Sequence, residues 1–282
     1  MDSFILIIPD VINRAITYTL FAISFSFFYQ SFGFFNLFTP ALVSFGVFLL
    51  NYFFGLNIGF PLSLLLVFLF VWFINESFNR FILYPKIKDN TPNFILMIIS
   101  LGAYSFLMGL ISIIWTNAPI KNDFIIQNSY SNVICICLGF ILICAYIFLM
   151  NSKIGLKFKA LQDSKTLIQL FGVKISSLLM FLGGLSIFYA LSASIIRSME
   201  YSYTPFSSFN LYLIGGISLI LGGLKNKFGL IISSFAISFF QFIITLYIDV
   251  AWSEAIIYAL LIIVLIFKPY GLNGYKLKKN EI

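Results

Sequence analysis

Long apolar segments, separated by short polar stretches, follow one another along the whole chain. Nine of them approach or reach the roughly 20 residues that a helix needs to cross a bilayer. They are residues 11–31, 38–54, 60–79, 93–114, 131–151, 176–196, 209–224, 229–248 and 254–268. None alternates apolar and polar positions as a membrane β-strand does, and lipid offers no partner to an unpaired backbone group. The pattern predicts an all-α polytopic membrane protein with about nine transmembrane helices in one domain, residues 1–282.

The basic residues are concentrated in every second connection between these segments. The longest polar connection, 152–175, contains five lysines and one acidic residue, Asp163. When the spans are counted outward from it, the 80–90 loop, the 225–227 turn and the tail after 268 fall on the same side and are also basic. The acidic residues on the other side are Asp2, Asp10, Asp123, Glu200 and Asp249. Because lysine-rich connections remain in the cytoplasm, we expect the N-terminus outside and the C-terminus inside.

The composition excludes a soluble protein. Hydrophobic residues make up 61% of the 282 positions and charged residues only 10%, against about 25% charged residues in a soluble domain. The net charge of +7 is explained by cytoplasmic lysines, so the expected partner is a lipid bilayer and not nucleic acid. The chain has no histidine, and its three cysteines lie in one apolar segment. We therefore expect neither a metal site nor a cofactor.

Polar groups inside the predicted spans are mostly amides and hydroxyls. The charged residues, Glu76 and Arg80 included, lie within a turn or two of a predicted span end, which disfavours a carrier driven by protons or ions. Ser24, Ser186 and Gln241 are expected to form hydrogen bonds between helices. The sequence has no G-x-x-x-x-G-K-[ST] loop and no histidine base for a nucleophile. We therefore expect a transport protein and not an enzyme.

The 152–175 connection has a helical pattern of its own. Asp163 is expected to cap a short helix, and Gly172 is expected to end it in the left-handed conformation. The apolar positions of this helix are Leu167, Ile168, Leu170 and Phe171, and a preceding stretch contains Lys157, Lys159 and Ala160. An apolar helix face at this place can lie on the bilayer, pack under the membrane domain or dock into a groove on a soluble partner. The residues leave all three alternatives open.

Glycines mark two further segments. Gly215-Gly216 and Gly222-Gly223 stand seven residues apart in one predicted span. The segment from Gly33 through Asn36 to Thr39 links the first two spans. Such segments indicate either close packing of helices or a helix that is broken beside a cavity.

Five motifs occur in an order and at spacings that are similar to those of a known family. They are Tyr18–Ile23 with Tyr29, Gly33 and Asn36; Arg80–Pro85; Ser152–Gly155 with Ala160, Asp163 and Leu170–Val173; Leu221–Gly223 with Gly229; and Lys268–Gly271. Over nearly its whole length the chain resembles the membrane permeases of bacterial ABC importers for branched-chain amino acids, the LivH/LivM type. Its short N-terminus is more similar to that of the LivH-like member.

The resemblance implies a permease of the bacterial inner membrane, paired with a second, LivM-like permease in a heterodimer. An external solute-binding protein would deliver a small amino acid, and two cytoplasmic ABC ATPases would drive its import. The coupling loop, 152–175, would dock on an ATPase through Lys157, Lys159, Ala160, Asp163, Leu167, Leu170, Phe171 and Gly172. The substrate pathway would include Gly33, Asn36, Thr39, Gly222 and Gly223.

Two positions depart from the family pattern. Leu37-Phe38-Thr39-Pro40 follows Asn36 in place of the usual His-Gly, and Ile168 stands where the family usually has alanine. The first departure leaves the solute open, since related permeases import urea, short amides or other small polar solutes. The alternative class is a stand-alone secondary carrier or channel for such a solute, which would need no ATPase.

Overall fold

The structure is a computed structural model that describes residues 2–89, 91–120, 131–163, 168, 172–247 and 250–267. Its helices are α1 (Asp2–Phe32), α2 (Phe38–Gly55), α3 (Phe60–Phe78), a π-helical turn (Asn79–Leu83), α4 (Tyr84–Lys88), α5 (Asn93–Trp115), α6 (Ser131–Asn151), α7 (Lys153–Asp163), α8 (Ile175–Glu200), α9 (Ser207–Gly222), α10 (Lys227–Tyr247) and α11 (Val250–Phe267). Within the part of the chain that the structure describes, seven helical segments are long and apolar enough to cross a membrane, and α9 is a shorter apolar helix. The predicted class, an all-α polytopic membrane protein, is confirmed, while the count of nine spans and their orientation remain predictions.

Helix α1 forms the centre of the bundle. It packs against α6, α8, α9 and α10, and 83% of its apolar window is buried within the chain. The corresponding fraction is 78% for α8 but only 22% for the segment that begins with α3. Helices that are apolar on every side and yet exposed must face lipid or another membrane subunit. The bundle therefore has a core of α1, α8 and α9, with α3, α5 and α6 at its outside.

The two ends of the bundle differ in charge. At one end the side chain of Lys227 donates a hydrogen bond to Asn151 Oδ1, and Phe27 of α1 packs on Phe158 of α7. We call this the lysine end, and define it by α7 and the turn between α9 and α10. At the opposite end, Asn13 of α1 donates a hydrogen bond to Glu200 of α8. We call this the carboxylate end, and define it by Asp10, Glu200 and Glu254.

Serine and amide side chains connect the central helices, as the sequence predicts. The hydroxyls of Ser24 and Ser186 lie 3.1 Å apart, and Ser186 donates to the Ser24 carbonyl at 2.9 Å. Gln241 accepts a hydrogen bond from Tyr18 and donates to Ser253 at 3.3 Å. In measured cases such bonds contribute about 0.6 kcal/mol each, so they fix the register of helices more than they stabilise the bundle.

The glycine pairs of α9 allow backbones to touch. A Cβ atom on Gly215 would lie 2.7 Å from the backbone carbonyl carbon of Phe21, and one on Gly222 would lie 2.5 Å from the nitrogen of Leu230. Helix α9 continues unbroken from Ser207 to Gly222. Of the two alternatives that the sequence leaves open, the structure therefore supports close packing of helices at these glycines.

One predicted connection is wrong. The sequence places a cytoplasmic loop at 80–90, but the helix continues from Phe60 through the π-helical turn to Lys88. Apolar residues that follow Arg80 extend the helix, and Pro85 stands in the first turn of α4, directly after the π-helical turn Asn79–Leu83. Glu76 and Arg80 therefore lie within a continuous helix, twelve and eight residues before its end at Lys88.

Candidate functional site

Helix α7 lies along the lysine end and is amphipathic. It buries Gly155, Phe158 and Leu161, and the ring of Phe158 lies 5.3 Å from that of Phe27. The exposed residues of α7 include Leu156, Lys157, Lys159 and Ala160. The buried side of α7 thus packs under the membrane domain, while its other side presents an apolar strip between lysines.

Gly172 precedes α8 in the left-handed conformation that the sequence predicts for it. Its φ is +74°, and the N–H of Val173 bonds to the carbonyl of Ile168 at 3.4 Å. A bond of this kind across a left-handed glycine is typical of a Schellman motif at a helix C-terminus. Ile168 is buried. Most of the helix that Gly172 would end lies outside the described residues, so its role as a helix terminator remains a prediction.

The remaining coupling residues are described only in part. Asp163 is the last residue of α7, so it lies at the boundary where the next helix is predicted to begin. Leu167, Leu170 and Phe171 lie outside the described residues. Their role, and the capping role of Asp163, remain predictions.

The residues predicted for the substrate pathway fall into two groups. Asn36 Nδ2 donates to Thr39 Oγ1 at 3.0 Å, and its Oδ1 accepts from the N–H of Phe38 at 3.0 Å. Both Asn36 and Thr39 are buried, and their bonds begin helix α2. Gly33 ends α1 with a φ of +86°, whereas Gly222 and Gly223 belong to the turn at the lysine end. Each position thus has a local structural explanation, and its contact with solute remains a prediction.

The carboxylate end contains a charged network that the sequence reasoning missed. Arg14 and Asp10 form an ion pair at 3.2 Å on α1, and Asn13 donates to Glu200 on α8. Asn210 of α9 donates to Glu254 of α11 at 3.3 Å. Asp10 and Arg14 are one turn apart on α1, but the Asn13–Glu200 and Asn210–Glu254 pairs join residues far apart along the chain, so only helix packing brings those pairs together. The only sequence signal is that each lies at the same predicted side of the membrane.

The connection between α8 and α9 is fixed at this same end. Ile120 and Tyr203 form an isolated antiparallel bridge with two hydrogen bonds of 2.9 Å. The hydroxyl of Tyr203 is hydrogen-bonded to Ser208, and burial raises the pKa of Tyr203 above its ordinary value. The phenol therefore stays neutral at physiological pH.

Together the bundle and its two unlike ends define a multi-pass helical membrane protein with a basic, helix-covered face at one end. The family model described as branched-chain amino acid transport system / permease component matches residues 7–265. The chain belongs to this family, and it is a multi-pass membrane protein. No curated protein and no solved structure matches the chain.

Proposed function

We propose that the chain is the membrane-spanning subunit of an ATP-driven importer for a small amino acid of the branched-chain type. Its membership of the permease family supports this function, and the exposed side of α7 at the lysine end is the observation that carries it. In this proposal the chain hydrolyses no ATP itself. It pairs with a LivM-like permease in a bacterial inner membrane and receives solute from an external binding protein.

The lysine end is the side on which cytoplasmic ABC ATPases would dock. Leu156 and Ala160, four residues apart, lie on one side of α7 beside Lys157. A helix that exposes an apolar strip flanked by positive charge suits a groove with an acidic rim. The Schellman motif at Gly172 supports the same arrangement, because it fixes where the following chain turns back into α8.

A substitution at Gly172 tests this geometry without adding charge. Valine is strained in the left-handed region by about 1–2 kcal/mol, so we expect Gly172→Val to lower ATP-driven uptake roughly fivefold to thirtyfold. Asparagine tolerates this conformation, and no atom of the described residues lies within 4 Å of a Cβ built on Gly172. Gly172→Asn is therefore the matched control and should transport within about twofold of the unsubstituted chain. Equal uptake by both variants would show that this turn has no part in coupling.

A stand-alone secondary carrier or channel for a small polar solute is the second candidate. The partly buried Glu200, which accepts a hydrogen bond from Asn13 between α8 and α1, is the observation in its favour, since buried ionisable groups are typical of ion-coupled carriers. In that case the purified chain alone would move solute, and a protonophore or a sodium ionophore would stop it.

Copurification, combined with an assay of ATP hydrolysis, distinguishes the two candidate functions. The tagged full chain is expressed from its own gene neighbourhood and purified in lipid nanodiscs. We expect two ABC ATPase chains and a second permease to copurify, and the solute-loaded binding protein to stimulate ATP hydrolysis. A chain that purifies alone and transports alone would refute the importer.

A further inference from the structure

Gly183 and Gly184 of α8 allow α3 to approach closely. We define the contact between them as a seam, formed by these two glycines and by Trp72, Asn75 and Asn79 of the helix Phe60–Lys88. The Nδ2 of Asn75 donates to the carbonyl of Gly183 at 3.2 Å. A Cβ on Gly183 would lie 2.8 Å from Asn79 Nδ2, and one on Gly184 would lie 2.7 Å from Trp72 Nε1. The seam therefore places two amides and an indole directly against helix backbone.

Two polar groups in or beside this seam have no partner among the described residues. Asn79 is only 1% exposed, and neither its Oδ1 nor its Nδ2 forms a hydrogen bond within the described part of the chain. The same holds for the buried Oε2 of the neighbouring Glu76. An unpaired buried amide costs free energy and is rare in folded proteins, so a water, an ion or a solute atom is expected to bond to it. Asn79 also begins the π-helical turn, a feature that occurs frequently at functional sites.

Two charged residues beside the seam lie within the continuous helix Phe60–Lys88. Glu76 is twelve residues from its end at Lys88, which corresponds to about 18 Å along the helix axis. Arg80 is exposed at the surface of the chain, and the next residue, Phe81, is an apolar side chain with 74% exposure. Charged side chains within the hydrocarbon face water-filled cavities or protein, because lipid does not solvate them. In the proposal below, the seam therefore faces an aqueous path or another subunit.

An apolar groove continues the seam toward the carboxylate end. It has a volume of about 200 Å³ and is lined by side chains that include Phe68, Trp72, Ile187, Phe188 and Leu191. Pockets for drug-sized ligands measure roughly 300–1,000 Å³, so this groove suits a smaller group. Trp72 lines the groove and stands one helical turn before Glu76, a separation of about 6 Å along the axis.

We propose that the seam is a solute site for an aliphatic α-amino acid on its way through the membrane. The groove holds the aliphatic side chain, Glu76 binds the ammonium group, Arg80 binds the carboxylate, and the amide of Asn79 forms hydrogen bonds to the solute that it does not form within the described part of the chain. This inference rests on the proposed function and names the solute class and its position. The sequence analysis did not predict this site, because it placed Arg80 at the start of a loop and not within a continuous helix.

The test uses the full transporter complex in lipid nanodiscs without ATP. L-leucine is the probe, and 4-methylpentanoate and 3-methylbutylamine are analogues that lack its ammonium and its carboxylate, respectively. We expect L-leucine to raise the melting temperature and each analogue to bind at least about tenfold more weakly, since a lost charged hydrogen bond is worth that factor or more. Glu76→Gln, which keeps the size of the side chain, should weaken L-leucine binding by about the same factor.

The variant Asn79→Leu distinguishes a loss of solute binding from a loss of structural stability. Leucine removes an unpaired amide, so the ligand-free melting temperature should stay equal or rise, while the response to L-leucine and the uptake rate fall at least about tenfold. Asn75→Leu is the contrast, because it breaks the bond to Gly183 and should lower the ligand-free melting temperature. Phe73→Leu, an exposed position on the same helix, is the control for transport.

Four outcomes decide the proposal and the function on which it rests. Loss of the L-leucine response in Glu76→Gln and Asn79→Leu, without loss of stability, supports it. Normal ATP-driven uptake by both variants overturns the site while the proposed function stands. If the unsubstituted complex shows ATP-driven uptake of another solute but no response to L-leucine, the amino-acid class is wrong. If it shows no ATP-driven uptake of any solute, the proposed function itself fails.

Discussion

Alanine at Gly222 is expected to lower the melting temperature of the purified chain by about 5 °C or more. The added Cβ would lie 2.5 Å from the nitrogen of Leu230 and closer still to the carbonyl group of Gly229. Both are backbone atoms, so neither can rotate away and the turn between α9 and α10 must open. Overpacking of this kind costs typically about 1–3 kcal/mol or more, and each kcal/mol corresponds to about 2–4 °C in a chain of this size. Thermal unfolding in detergent, followed by helical circular dichroism, measures the change.

Glycines of α5 provide the matched control. Gly102 and Gly109 also lie inside a helix, but no atom lies within 4 Å of a Cβ built on either. Alanine there removes the helix penalty of glycine, up to about 1 kcal/mol, so the melting temperature should stay equal or rise. The same change from glycine to alanine should therefore lower the melting temperature at Gly222 and leave it equal or raise it at Gly102 and Gly109. An equal fall at Gly222 and Gly102 would mean that close packing does not explain the glycines of α9.

Aspartate at Leu156 is expected to lower ATP-driven uptake by about 100-fold or more. Leu156 is 63% exposed on α7, so the substitution leaves the packing of the bundle intact. If α7 docks into a groove on an ATPase, however, the carboxylate becomes an unpaired charge in an interface, at a cost of about 3–5 kcal/mol. Uptake into proteoliposomes and copurification of the ATPase should therefore fall together, while the amount of inserted chain stays the same.

Leu156→Met keeps the apolar character of the position and is the control. It should transport within about twofold of the unsubstituted chain, because exchanges between apolar residues of similar volume usually cost little. If Leu156→Asp retains both ATPase binding and uptake, α7 does not carry the docking surface. In that event the segment 164–171 would be left to carry it alone.

The sequence predicts the fold class well because lipid leaves few alternatives. Apolar length determines which segments become helices, and the lysines of α7 and of the α9–α10 turn do gather at one end. The left-handed backbone conformation of Gly172 is predicted from its position in the sequence, since few residues other than glycine readily adopt a φ of +74°. These features depend on local chemistry, which a single sequence contains.

Features that depend on packing are not predictable in this way. Arg80 resembles the start of a loop until the structure shows that apolar residues extend the helix to Lys88. The amides of Asn36 and Asn79 look alike in sequence, yet the first is satisfied by Thr39 and the second has no partner among the described residues. Only the arrangement of α3 against α8 distinguishes them. The candidate solute site therefore required the structure.

A measurement of the direction of solute transport and of its energy source tests the account most directly. The complex is reconstituted in proteoliposomes with ATP trapped inside and the solute-loaded binding protein added outside, and accumulation of labelled L-leucine is measured with and without ionophores. We expect accumulation only in vesicles that contain hydrolysable ATP, and no change when the ion gradients are collapsed. Accumulation that follows an ion gradient and proceeds without ATP would contradict the account.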